Sequence, residues 1–254
     1  MTSKLLVEKQ GPVTTVTINR PEVRNAVDSE TARALAGAFA EFEADRDACA
    51  AVLTGAGGTF CAGADLKEIA QGATYEAWAG SENGPTRPLL SKPVIAAVAG
   101  HACAGGLGLA LWCDLRVVEE GAVFGVFSRR WGVPMSDGTT VRLPRLVGMG
   151  RALDMLLTGR PVHAQEALAM GLANRVVPPG RAREEAQALA LQIAQFPQVA
   201  MRSDRRSAYA QAGLEMADAL AREAELAEEA KALEAQTGAA RFDAGEGRHG
   251  EAAE

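Results

Sequence analysis

Along the first half of the chain, apolar and polar positions form short runs that predict strands joined by tight turns and helices. Leu5–Gln10, Gly11-Pro12 and Val13–Asn19 read as a β-hairpin. In its second strand Val16 and Ile18 face one side, Thr15 and Thr17 the other. Arg20-Pro21 ends that strand, because proline offers no N–H to a ladder. Asp28 suits a helix N-cap, with Glu30 and Thr31 in the first turn. Ala34, Leu35, Ala38, Phe39 and Phe42 then recur at helical spacing. Asp45 to Asp47 breaks the helix, and Ala50–Leu53 predicts a buried strand. A similar order returns at Val94–Val98, a helix from Gly105, and Leu115–Val118. The repetition predicts an α/β fold of stacked turns of chain.

The remainder reads differently. Thr74–Pro88 is polar and poorly periodic, which suggests a loop or short helix. From Ala164 onward the pattern is helical, at Gln165–Met170 and Arg183–Gln195. Leu214, Ala217, Leu220, Ala224, Ala227, Ala230 and Leu233 form a stripe at three- and four-residue spacing. Such an Ala-rich face cannot build a core alone, so it needs the body of the domain or a neighbouring subunit. Residues 241–254, with Gly245, Gly247 and Gly250, read as a frayed or partner-held tail. The expected division is 1–195 for the α/β core and 196–254 for a C-terminal helical oligomerisation region.

Two glycine-containing turns carry the candidate chemistry. Gly58-Thr59-Phe60-Cys61-Ala62-Gly63-Ala64-Asp65-Leu66-Lys67-Glu68 follows the Ala50–Leu53 run. Ala99-Gly100-His101-Ala102-Cys103-Ala104-Gly105-Gly106-Leu107-Gly108 follows Val94–Val98. Each leads into a helix-like pattern, and unpaired N–H groups at a helix start favour an anion or a developing oxyanion. Small side chains let a ligand oxygen approach that backbone closely.

These turns resemble those of the crotonase superfamily, the enoyl-CoA hydratase/isomerase family. The resemblance extends over nearly the whole chain, from Val16-Thr17-Ile18-Asn19-Arg20-Pro21 and Asn25-Ala26 through Lys92–Val98 and Gly100–Asp114 to Arg142–Gly148 and Leu157–Arg160. It implies a spiral of ββα units with a C-terminal helical region. It also implies an oxyanion hole at the backbone N–H groups of Ala64 and Gly105, polarising the thioester carbonyl of an acyl-CoA. Ala62, Asp65, Leu66 and Lys67 would contact the CoA moiety, and Arg24 its phosphates. CoA is then part of the substrate, and no separate cofactor is expected. A homotrimer or a dimer of trimers is the implied assembly.

The chain departs from the family at two positions. Many family hydratases carry two catalytic glutamates, and the corresponding residues here are Gly108 and Ser128. Neither does carboxylate acid/base work, so isomerisation, another single-base reaction or a specialised lyase reaction competes with water addition. In the segment Ser128–Gly138 the family also places acid/base residues about eight positions later. Ser136 aligns there, and its neighbour Asp137 is the segment's only carboxylate, hence the candidate catalytic residue. Asp137 before Gly138 equally suits a turn or an N-cap. Arg129, Arg130 and Trp131 suit either an acyl pocket or a subunit contact. Glu82 could swing toward the acyl group. Asp114 reads as a structural cap and His101 as a packed, hydrogen-bonded side chain. A CoA-thioester binding or regulatory protein without catalysis is the rival from another class. A serine peptidase of the related Clp fold is a more distant rival, and the chain offers no convincing Ser/His/Asp set for it, since Ser128 and Ser136 have no evident histidine.

Bulk properties narrow the partners. The 254 residues are 48% hydrophobic and 23% charged, with a net charge of −6, ordinary for a soluble globular protein and without the basic footprint nucleic acid requires. Met1–Gln10 has no apolar signal region, and no apolar run reaches the ~18–20 residues of a membrane span. Cys49, Cys61, Cys103 and Cys113 lack metal-ligand spacing and read as buried free thiols in a reducing cytoplasm. With only three histidines, a histidine-based metal site is not expected.

Overall fold

The computed structural model describes residues 3–72, 78 and 84–245. In chain order, β1 (Leu5–Gln10) and β2 (Val13–Ile18) precede α1 (Ser29–Ala44) and β3 (Ala50–Gly55). The short α2 (Leu66–Ala70) follows, then β4 (Val94–Val98), β5 (His101–Cys103) and α3 (Gly105–Trp112). β6 (Leu115–Glu119), β7 (Val123–Gly125), α4 (Thr139–Val147) and α5 (Met149–Thr158) come next. β8 (Val162–His163), α6 (Ala164–Ala169), β9 (Arg175–Val177), α7 (Ala182–Ala194), α8 (Gln198–Ala210), α9 (Met216–Ala230) and α10 (Gln236–Asp243) complete the chain. It divides into two compact units, 1–190 and 191–254.

The first unit is a mixed α/β spiral. Its six-stranded sheet has the order β1-β2-β3-β4-β6-β9, and β5-β7-β8 form a second, three-stranded sheet. After the antiparallel β1–β2 hairpin, each added strand of the large sheet is parallel to its neighbour. β4 runs into β5 and β6 into β7, and β5 pairs β7 in parallel. Successive passes of chain thus lay one strand on each sheet, which is what a spiral requires. The first pass joins the second sheet through a bridge between Cys61 and Ala102.

The expected two-sided β2 is buried throughout its length, threonines included. Its threonine face is covered rather than solvated: Gln187 of α7 donates to Thr15 Oγ1 at 2.9 Å. Asp28 caps α1 as expected, its carboxylate accepting from Thr31 N at 2.8 Å. Leu35, Ala38, Phe39 and Phe42 face the core from that helix. The sequence reading had no counterpart for α4 and α5. Pro144 sits inside α4, where a proline ordinarily argues against a helix.

In the second unit α8 packs on α9, and Ser203 Oγ donates to Leu226 O at 2.8 Å. Leu226 and Ala230 are the buried residues of α9. Leu214, Leu220 and Leu233 of the expected stripe are exposed in this chain, Leu220 at 56%. A helix packed on one partner buries one narrow strip, and here that strip runs through Leu226 and Ala230. Among the described residues no helix is long and apolar enough to cross a membrane.

Candidate active site

The residues Ala64, Gly105 and Asp137, together with Arg24, Ala62, Asp65, Leu66 and Lys67, line one cavity of about 510 Å³ in the first unit. The two turns reach it from adjacent strands. Phe60 N donates to Ala99 O at 2.8 Å, Cys61 N to His101 O at 2.9 Å, and Cys103 N to Cys61 O at 3.0 Å. An added Cβ on Gly63, whose φ is +104°, would lie 2.9 Å from Ala104 Cβ and 3.0 Å from Gly105 N. Glycine at 63 therefore serves twice, in a left-handed conformation and in a close approach of two backbones.

Each turn has an N–H outside the backbone hydrogen bonds among the described residues. Val27 N donates to Gly63 O at 2.8 Å and Asp65 N to Val27 O at 2.9 Å. In a parallel bridge of this kind the flanking residues make the bonds, and the bridged residue's own N–H points away. Ala64 is that residue. Gly105 is the first residue of α3, so its N–H has no intrahelical acceptor. Neither amide has a backbone acceptor among the described residues. Ala104 has φ 49° and ψ −122°, a left-handed conformation that costs an L-residue about 1–3 kcal/mol. It sets the plane of the peptide that carries the Gly105 N–H. The bond from Ala104 N to Gly125 O, 2.9 Å, holds it there.

Polar contacts brace the first turn. Arg20 pairs with Asp65 at 3.0 Å and Asp28 at 3.2 Å, and also donates to Ala26 O. Lys4 joins Asp28 at 2.7 Å. Desolvation would raise the Asp28 pKa, but hydrogen bonds from Lys4 and Thr31 and the nearby Arg20 outweigh it and hold the carboxyl at about 2. Asp65 caps α2, accepting from Lys67 N at 3.1 Å. Glu68 accepts from Ser29 N at 2.8 Å. Arg24 and Lys67 are exposed at the cavity edge.

Asp137 reaches the cavity from the segment before α4. It is 2% exposed, and its Oδ1 accepts from Thr139 N at 2.8 Å. That amide is the first of α4, whose N-cap is Gly138, and Asp137 also lines the cavity. Burial pushes its pKa up, against bonds from Thr139 and the charge of Arg142. Arg142 donates to Asp137 O at 3.1 Å and to Thr86 O at 2.7 Å. Gly138, at φ +88°, leaves room for that guanidinium, which an added Cβ would meet at 2.0 Å.

Other candidates fall as follows. His101 is exposed and lines the cavity, so the packed histidine expected from sequence is corrected: β5 begins at the cavity, and none of the described residues buries its first side chain. Asp114 accepts from Val94 N at 2.8 Å and is structural. Ser128 donates to Met135 Sδ at 3.3 Å. Arg129 donates to Leu156 O of α5 at 3.1 Å, while Arg130 stacks over Phe127. Trp131 lines the cavity and is 69% exposed. Glu82 lies outside the described residues.

Sequence reasoning missed Trp78, which is 3% exposed and packs its ring where a Cβ on Gly105 would stand, 2.8 Å away. A lone tryptophan in a polar stretch was the available signal. The thiols of Cys61 and Cys103 are pushed up to about 12, chiefly by burial, which leaves them inert. All four cysteines are free, Cys49 only partly buried. Among the described residues no group of three His, Cys, Asp or Glu side chains could hold a metal ion.

Comparison with known proteins bears on the fold and the family. Residues 8–246 match the model of the enoyl-CoA hydratase/isomerase family. The chain is 40% identical over 209 residues to enoyl-CoA hydratase EchA19 of Mycobacterium tuberculosis, covering 80% of this chain and 79% of that protein. It is 38% identical over 210 residues to the short-chain-enoyl-CoA hydratase of Clostridium acetobutylicum, covering 81% and 80%. A crystal structure of enoyl-CoA hydratase from Mycobacterium tuberculosis superimposes with a TM-score of 0.89 at 34% identity, over 94% of this chain and 95% of that one. With its spiral fold and its match along almost the full length, the chain belongs to the enoyl-CoA hydratase/isomerase family of the crotonase superfamily.

Proposed function

We propose that this protein binds an acyl-CoA thioester and promotes proton transfer at its α-carbon through an enolate-like intermediate. The thioester oxygen takes the Ala64 and Gly105 N–H groups, which stabilise the charge that develops on it; one such donor is worth about 10²–10³ in rate. Asp137 is the acid/base group. Its carboxylate takes the α-proton, the C–H electron pair becomes the enolate C=C, and the carbonyl pair moves onto the oxygen. The protonated carboxyl then returns the proton, to the same carbon or to a conjugated one. Arg24 and Lys67 meet the CoA phosphates, and the backbone of Ala62, Asp65 and Leu66 holds the rest of the carrier. No separate cofactor enters.

The observation that carries this reading is a buried carboxyl, 2% exposed and raised in pKa, in the wall of the cavity lined by both candidate donors. Hydration of short straight-chain enoyl-CoA is expected to be slow, although the relatives are named hydratases. Gly108 and Ser128 supply no second carboxylate to position and deprotonate water, and each lost acid/base group costs about 10²–10⁴-fold.

The test is solvent deuterium exchange at the α-carbon across a panel of acyl-CoA thioesters. Asp137→Asn should lower exchange on the best substrate by about 10²-fold while thioester binding persists. Binding without exchange on any thioester would favour the non-catalytic reading. Turnover of crotonyl-CoA at the rate of an ordinary hydratase would overturn the expectation for water addition. The free thiols suit the cytoplasm. Exposed Leu157, Met149 and Leu220 suit a homotrimer or dimer of trimers, with 196–254 as its oligomerisation region.

A further inference from the structure

Gly108 lies in the second turn of α3, a helix whose residues are all buried. Its lack of a side chain has a specific occupant. A Cβ built on Gly108 would stand 2.4 Å from Asp137 Cγ, 2.6 Å from Asp137 Oδ2 and 2.7 Å from Asp137 Cβ. No real Cβ tolerates these separations, and they involve the whole carboxymethyl group rather than the end of a flexible chain. Asp137 has little freedom to retreat, because Oδ1 is bound to Thr139 N and the residue's carbonyl to Arg142. Met135 Sδ lies against Ser128 just upstream. The segment is therefore held on both sides of the carboxylate.

From this contact we infer that Gly108 decides which wall supplies the carboxyl of this site. The volume between α3 and the α4 entry admits one side chain. With glycine at 108 the carboxyl enters from Asp137. A side chain at 108 excludes it, and a carboxyl from α3 fits only when position 137 is emptied. This deepens the proposed function and rests on it for the catalytic role, while the shared volume stands on geometry alone.

The experiment is a cycle of four proteins plus one exchange variant: wild type, Gly108→Ala, Asp137→Gly, the Gly108→Ala/Asp137→Gly double, and Gly108→Glu/Asp137→Gly. Melting temperature and α-proton exchange are read for each. Gly108→Ala alone should lower the melting temperature by about 3–10 °C, the range of an overpacked core, and exchange by about 10²-fold. In the Asp137→Gly background the same alanine should leave the melting temperature unchanged or raise it, because alanine outranks glycine in a helix. Gly108→Glu/Asp137→Gly should regain at least about tenfold of the exchange lost in Asp137→Gly. Equal losses of melting temperature in both backgrounds would overturn the shared volume. A sign reversal without recovery of exchange by the glutamate would overturn the transposable carboxyl. If Asp137→Gly leaves exchange at the wild-type rate, the function assigned to Asp137 fails, and the melting cycle decides the volume by itself.

Discussion

The two turns that line the cavity are secured by different physics. The Ala64 turn is held by charge: Arg20 bridges Asp65 and Asp28, Lys4 adds to Asp28, and Glu68 caps Ser29 N. The Gly105 turn is held by space. Gly106 lies so close to Cys61 that an added Cβ would fall 2.0 Å from its carbonyl oxygen, Trp78 covers Gly105, and Ala104 is kept at positive φ. A charged brace can be weakened by pH and partner loss. A packed brace answers to volume and hardly to pH. The difference teaches that two turns lining one cavity can be held one by a tunable brace and the other by a fixed one.

The sharpest way to break this comparison is Gly106→Ala. Alanine gains up to about 1 kcal/mol of helix propensity, but the backbone contact forbids its Cβ. A net loss of about 3 kcal/mol or more is expected, which lowers the melting temperature by about 6 °C or more. Calorimetry with an unchanged melting temperature would show that the packed brace does not exist.

Arg20→Gln comes next. It removes one cation from two carboxylates that are both mostly buried, with 14% and 13% side-chain exposure. The cost should be about 2 kcal/mol, below the 3–5 of a fully buried pair, because Lys4 still serves Asp28. Exchange at the α-carbon should fall about tenfold as the Ala64 turn loosens, and amide hydrogen exchange should quicken at residues 63–66 but not at 104–106. Equal quickening at both turns would erase the distinction between them.

The smallest effect is also the most discriminating, because its sign differs between the two carboxyls Asp28 and Asp137. Asp28 has a folded pKa of about 2, below its usual 3.8. Its stabilising contribution is present above the usual value and lost as pH falls through about 2. Asp137 is shifted the other way by burial. Its contribution is complete below the unfolded pKa and lost as pH rises through the folded one. Asp28→Asn should therefore lower the melting temperature at neutral pH, with the loss shrinking toward acid. Asp137→Asn should raise it at neutral pH, with the gain shrinking toward acid. Melting curves from pH 3 to 8 that moved both variants the same way would contradict the assigned environments.

The sequence by itself determined the β1–β2 hairpin, α1 with its Asp28 cap, the buried β3 and β4, and the two glycine turns. In each case the cause is local: strand alternation, cap chemistry, or a backbone that only small residues permit. It also carried the family, through motifs spread over most of the chain. It could not show that β2 is covered on both faces, because α7 arrives more than a hundred residues later. It did not reveal α4, whose Pro144 argues against a helix, or that the α9 stripe leaves Leu220 exposed. Nor could it tell that Asp137, a cap by its local pattern, presses its carboxyl into the space left by Gly108. Those outcomes depend on which surfaces meet when the spiral closes. Packing distance between residues remote in sequence has no local signature.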